Sequence, residues 1–149
     1  MKEKYIGVKI IKAEPMDCQK DSHNSKVGDP GYDVEYENGY KSWSPAEVFE
    51  KAYIKTNGIT FGLAIEAAKL GHKVSRTGWN GKGMFVVYQK GYPKGISCNK
   101  QTAEAWALAE GDLFKVEPYL QIRMVNGSHA MWAPSINDVL SEDWSIVNE

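Results

Sequence analysis

The decapeptide Arg76-Thr77-Gly78-Trp79-Asn80-Gly81-Lys82-Gly83-Met84-Phe85 concentrates groups able to bind a small molecule. Gly78, Gly81 and Gly83 admit positive φ and let a ligand approach the backbone closely. Trp79 offers a flat π surface, and Asn80 offers two donors and an acceptor. Arg76 and Lys82 carry the charge that pairs with phosphate. The same residues also make a glycine-rich turn between two strands, with the indole folded into the core. Composition alone leaves both readings open.

Catalytic constellations are scarce elsewhere. The chain has no Gly-x-Ser-x-Gly elbow and no His-Glu-x-x-His. Residues 78–83 lack the spacing and the Ser/Thr of a phosphate-cradling Walker loop. The carboxylate pairs Glu47 with Glu50 and Glu142 with Asp143 fall at helix starts or turns, where solvation and the helix dipole account for them. His23, His72 and His129 are isolated, and Cys18 and Cys98 form no Cys-x-x-Cys, so two free thiols and no metal site are expected. Neither a cofactor nor enzymatic activity is expected. What remains is a binder's inventory of five Trp, eight Tyr and four Phe. Aromatic faces stack on bases for roughly 1–3 kcal/mol each. With Asn80 and Ser135 to read polar edges, the set suits a nucleotide-like molecule, and it also suits a sugar.

These groups need elements to position them. Tyr5–Ala13 alternates and is rich in β-branched residues, which predicts a strand, followed by a polar loop from Glu14 to Pro30. Asn38-Gly39 between Tyr32–Tyr36 and Tyr40–Trp43 predicts a hairpin. Ser44-Pro45-Ala46-Glu47 predicts a capped helix start, with the helix running through Tyr53 and ended by Thr56-Asn57-Gly58. Thr60 caps a second predicted helix that Gly71 stops. Strands are predicted at Lys73–Arg76 and Met84–Tyr88, and a loop from Gln89 to Gln101. A helix follows over Thr102–Glu110, with Ala103, Trp106, Ala107 and Leu108 as a packed stripe. Pro118–Val125 and Ser128–Trp132 form a hairpin about Asn126-Gly127; Ala133-Pro134-Ser135 opens a short helix, and Asp143–Val147 closes the chain as a strand. Trp43 and Trp132 each sit at a strand end just before a proline-started helix, where unpaired N–H groups favour anions. The same position equally suits an indole that plugs the corner.

The predicted architecture is α+β, with small antiparallel sheets and short helices in two modules, 1–56 and 57–149. The 149 residues, 42% hydrophobic and 25% charged, are ordinary for a soluble globular chain with a real core. No apolar run reaches the roughly 20 residues that span a bilayer, and Met1–Tyr5 leads into no apolar leader core. A net charge of −1 with scattered cations argues against a nucleic-acid polymer as partner.

The second module carries a resemblance. Thr60-Phe61-Gly62-Leu63-Ala64-Ile65-Glu66-Ala67-Ala68, then Gly71 through Met84, then Pro118-Tyr119-Leu120, Trp132-Ala133-Pro134-Ser135 and Glu142-Asp143-Trp144 resemble, in order, the phage-encoded Thoeris anti-defence proteins of the second type. The match runs from about Ile59 to Val147, and the set of motifs is specific where each alone is weak. The resemblance implies a sponge in the cytoplasm of the infected bacterial host. Such proteins sequester, unaltered, a cyclic ADP-ribose-type signalling nucleotide. They assemble as homo-oligomers, typically tetramers with pockets between protomers, and some hold cyclic dinucleotides at separate sites. By motif position, ligand contact is carried to Trp79, Asn80, Trp132 and Ser135; Arg76, Phe85 and Tyr119 join them on chemical grounds. The N-terminal 58 residues and the segment 89–117 depart from plainer members, and Gly31–Tyr53 reads as part of an accessory module. The alternative is a phage structural or protein-interaction module whose tryptophans are core.

Overall fold

Short runs of strand-forming residues alternate here with brief capped helices, and the computed structural model, which describes residues 2–147, is an α+β chain in two units, Met1–Gly58 and Ile59–Glu149. Met1, Asn148 and Glu149, at the outer ends of the two expected modules, lie outside the described residues.

In the first unit, β1 (Lys12–Pro15), β2 (Gly31–Glu35) and β3 (Lys41–Pro45) form an antiparallel sheet in that order, followed by α1 (Ala46–Ala52). Asn38-Gly39 makes the predicted turn: Gly39 takes φ 78°, and Tyr36 N–H donates to the Tyr40 carbonyl at 2.9 Å. Val34 and Cys18 are buried, Trp43 Nε1 donates to the Met16 carbonyl, and Phe49 of α1 stacks on Tyr32 at 4.1 Å. Three expectations change. The predicted strand Tyr5–Ala13 pairs only from Lys12, because β2 turns away into the hairpin after Glu35, the partner of Lys12. Ser44 caps nothing: it pairs with Tyr32 in the ladder, and Pro45 takes the N-cap position with no side-chain bond. The helix ends at Ala52, and Asn57-Gly58 opens a strand instead of terminating it.

That strand is β4 (Asn57–Ile59), and after it come α2 (Phe61–Lys69), β5 (Val74–Arg76), β6 (Phe85–Gln89), β7 (Tyr92–Ser97), α3 (Lys100–Trp106), β8 (Leu113–Val116), β9 (Tyr119–Arg123), β10 (His129–Trp132), α4 (Ile136–Leu140) and β11 (Trp144–Ile146). Six strands form one sheet in the order β10-β9-β6-β5-β11-β4. Thr60 Oγ1 accepts from Leu63 N–H to start α2. Gly71 ends it in a Schellman arrangement, with His72 N–H reaching the Ala67 carbonyl at 3.1 Å. Buried Ala64, Ala67 and Ala68 let α2 lie close against β5, β6 and β11.

Cross-strand partners share a face of a sheet. The register Ile146↔Val74, Val74↔Val86, Val86↔Ile122 and Ile122↔Ala130 therefore defines the face that α2 covers, on which Val74, Val86 and Ile122 are buried. The pairs Trp144↔Arg76 and Leu120↔Trp132 lie on that same face. Phe85, Val87, Tyr119, Gln121 and Arg123 point to the opposite one.

The segment 89–117 is not a loop leading to a packed helix. β7 pairs with β8 in a separate two-stranded sheet, Tyr92↔Val116 and Ile96↔Phe114, with a bulge between them that accommodates the Pro and Gly content. Asn99 caps α3 earlier than predicted, and Ala107 ends it in the left-handed region at φ 53°. Ala103 is buried, but Trp106 and Leu108 are exposed, so the expected stripe does not pack.

Candidate functional site

Three tryptophans meet where β11, β10 and the 77–83 turn converge. Trp144 is 0% exposed and forms the floor, supported by Phe61 of α2 at 5.4 Å between centroids. Trp79 stands edge-on to it at 5.3 Å, Trp132 at 6.0 Å, and Trp79 and Trp132 meet each other at 5.9 Å with planes 75° apart. Both of the latter are half-buried. Because the two rings are in edge-to-face contact, nothing can be sandwiched between them. They form a corner whose outer ring faces are the only ones a planar group could stack on.

The corner is held by charge. Arg76, at the end of β5, has a side chain only 16% exposed. Its Nε donates to Asp143 Oδ1 at 2.8 Å, and its Nη1 donates to Asp138 Oδ1 at 2.8 Å. Asp143 Oδ2 also accepts the Gly78 N–H at 2.8 Å, which ties the turn to the start of β11. A Cβ on Gly78 would lie 2.8 Å from that oxygen, so this glycine serves close approach, while Gly83 supplies the positive φ of 74°. Of the three glycines able to take positive φ, only Gly83 does so.

Asp138 lies in α4, its side chain 11% exposed. Oδ1 accepts from Arg76 and from Trp79 Nε1 at 3.2 Å; Oδ2 accepts from Ser135 N–H at 2.8 Å and the Ser135 hydroxyl at 2.7 Å. Asp138 N–H returns a bond to Ser135 Oγ, which completes a capping box, and the Asp138 carbonyl accepts from Trp144 Nε1 at 2.9 Å. Burial pushes the Asp138 carboxyl upward, but the bonds from Arg76, Ser135 and Trp79 outweigh it and hold the group down at about 2. The Arg76 bond likewise lowers Asp143 against its own desolvation, and the two carboxylates raise Arg76.

Of the residues singled out by sequence, Arg76, Trp79, Trp132 and Ser135 converge here. Asn80 is exposed beside Trp79 in the turn, as is Lys82. Phe85 and Tyr119 do not join them: they occupy the other face of the sheet, where Arg123 lies 5.9 Å from the Phe85 ring centre and Lys73 lies 5.4 Å from it. Arg76 is engaged by two carboxylates, and the trio's net charge is negative, so a phosphate there would have to displace an existing partner. Asp138 went unnoticed in the sequence, and Asp143 and Trp144, though noted in the Glu142-Asp143-Trp144 motif, were not singled out as site residues. Ser135-x-x-Asp138 is a capping-box pattern that points to the first; the pairing of Asp143 with Arg76 spans 67 residues and has no local signal. The expectation that Asp143 is merely solvated therefore gives way to an ion pair.

A separate open hollow of about 380 Å³ in the first unit is lined by Lys9, Ile10, Ile11, Tyr36 and Tyr40 among others, with Lys9 over the Tyr36 ring at 4.6 Å. It offers less convergent polar chemistry than the tryptophan corner. Among the described residues, no group of three or more His, Cys, Asp or Glu is placed to hold a metal ion, and no helix is long and apolar enough to cross a membrane.

The family model for the Thoeris anti-defense 2-like domain matches residues 59–147, the span that carries the corner. A curated relative, Thoeris anti-defense 2 of Bacillus phage SP01, is 34% identical over 94 residues, an alignment that takes in 60% of this chain and 96% of the relative.

Proposed function

The chain belongs to the Thoeris anti-defense 2-like family, and on that premise we propose that it counters Thoeris defence inside the host cell by sequestering a cyclic ADP-ribose-type nucleotide without cleaving it. The observation that carries this reading is the anchored corner of Trp79 and Trp132 within the matched span. Its half-buried ring faces supply stacking, while exposed Asn80 and the Ser135 cap at the edge supply polar contacts. Arg76 holds the wall in shape. Phe85 and Tyr119, on the far face of the sheet, contribute through assembly: in a homo-oligomer such as a tetramer, that face of one copy can complete a pocket on another or hold a cyclic dinucleotide separately. Residues 1–58 act as an accessory module.

The test is equilibrium binding of cyclic ADP-ribose isomers, followed by removal of free ligand, denaturation and mass analysis of what is released. Intact nucleotide is expected; a cleaved product overturns the reading. Trp79→Ala is expected to weaken binding at least tenfold while unfolding stays cooperative, and unchanged affinity would remove the corner from the site. The rival reading, a phage structural or protein-interaction module, draws support from the complete burial of Trp144. Indole fluorescence that stays silent across cyclic ADP-ribose isomers, cyclic dinucleotides and sugars would favour it.

A further inference from the structure

We infer that Asp138 is the positioning residue of this site, orienting Trp79 on the buried Trp144 floor so that a ligand meets the Trp79 ring face and not its indole N–H. The inference rests on the nucleotide-binding reading and deepens it. Both carboxylate oxygens of Asp138 are filled: Oδ1 by Arg76 Nη1 and Trp79 Nε1, Oδ2 by the Ser135 N–H and hydroxyl. A buried carboxylate with four donors on it has no capacity left for a ligand. Asp138 also takes the third tryptophan's donor, through its carbonyl to Trp144 Nε1. One residue of α4 thereby fixes the floor and one wall of the corner, and joins both to the 77–83 turn through Arg76.

This arrangement selects ligand chemistry. With its N–H consumed by Asp138, the half-buried Trp79 ring presents only π surface, and the Trp144 N–H is consumed in the buried floor beneath it. The Arg76 charge is outweighed by Asp138 and Asp143, so the ground beneath the rings repels anions. The corner is therefore the seat of an uncharged planar ring, the base of a nucleotide, and the phosphates must lie away from it, where Lys82, exposed in the same turn, is a cation able to pair with them.

The test combines a ligand-free signature with binding probes. Edge-to-face indoles within 6.0 Å couple their transitions, so the near-ultraviolet circular dichroism of the free protein reports their mutual orientation. Asp138→Asn keeps the shape but sets an amide donor against the Ser135 N–H or loses an acceptor, and it is expected to change that coupled signal at pH 7 while far-ultraviolet dichroism is retained. Adenosine is expected to quench the fluorescence of the wild type, and ribose 5-phosphate is not. Affinity for cyclic ADP-ribose should fall about tenfold in Asp138→Asn and less in Trp79→Phe, which keeps a ring face but lacks the N–H. The double variant should lose less than the sum of the two single losses, because both changes break the same bond from Trp79 Nε1 to Asp138. Additive losses, or an unaltered coupled signal in Asp138→Asn, would overturn the positioning role; preferential quenching by ribose 5-phosphate would overturn the base-facing assignment. If Asp138→Asn does not fold, Ser135→Ala, which removes only the hydroxyl on Oδ2, is read by the same dichroism. A wild type that binds no nucleotide while Asp138→Asn still alters the indole signal refutes the sponge reading and leaves the orientation of the indoles by Asp138 supported.

Discussion

Arg76 has the chemistry of a phosphate ligand and the surroundings of a structural cation. Two carboxylates hold it, and its own charge in turn keeps both of them ionised. The consequence is a pH dependence with a definite sign. Asp138 has an ordinary value of 3.8 and is held at about 2 in the fold, so it contributes stability that is present above pH ~4 and is lost as the pH falls through about 2. The shift corresponds to about 2 kcal/mol. Asp143 is lowered in the same direction by the same guanidinium. Urea unfolding midpoints of the wild type should therefore drop between pH 4 and pH 2 more steeply than those of Asp138→Asn. Parallel curves for the two proteins would mean that the Arg76 cluster does not govern acid sensitivity.

At the scale of elements, what the sequence makes legible is whatever local chemistry fixes. Asn38-Gly39 and Asn126-Gly127 give hairpins because both residues tolerate the turn geometry, and Thr60 with Gly71 bounds α2 because a cap and a positive φ act within one turn of chain. Ser44 shows where that logic stops. Its pattern is a good cap, but ladder pairing with Tyr32 places it in β3, a tertiary choice that no local pattern carries. Tyr5–Ile11 has strand propensity and no partner strand among the described residues, and β7 reads as a loop until β8 is found opposite it. In the candidate site, Trp79 and Trp132 were legible as aromatic residues at turns and strand ends, whereas Trp144 and Asp143 acquire their meaning from residues more than sixty positions away. α4 is the element on which this matters most, since its five residues cannot nucleate alone and rely on the box between Ser135 and Asp138. Ser135→Ala should cost about 1–2 kcal/mol in chemical denaturation. A loss below a few tenths would mean that packing against α2 and the bonds of Asp138 to Arg76, Trp79 and Trp144 hold α4 without the cap.

For the whole molecule, the alignment that consumes 96% of the phage relative leaves no room there for a counterpart of residues 1–58, so what this chain shares with that relative lies in the second unit. That unit also exposes apolar side chains on α4. Ile136 and Leu140, 70% and 73% exposed, stand four residues apart on α4 and hence on one side of it. Their neighbour in sequence, Asp138, faces inward to the tryptophans, so the helix turns its charge to the site and its apolar ridge to solvent. Isolated exposed apolar residues are ordinary, but a ridge on the very helix that shapes the site is what a self-associating surface requires. Native mass measurement of the wild type is accordingly expected to give an oligomer. Ile136→Glu with Leu140→Glu should shift it towards the monomer with helical content unchanged, since neither side chain supports the fold. If nucleotide affinity falls together with the mass, the pocket is built from more than one copy. If affinity holds in the monomer, the tryptophan corner of a single copy suffices. A wild type that is already monomeric would sink the oligomeric reading and leave this ridge without a role in assembly.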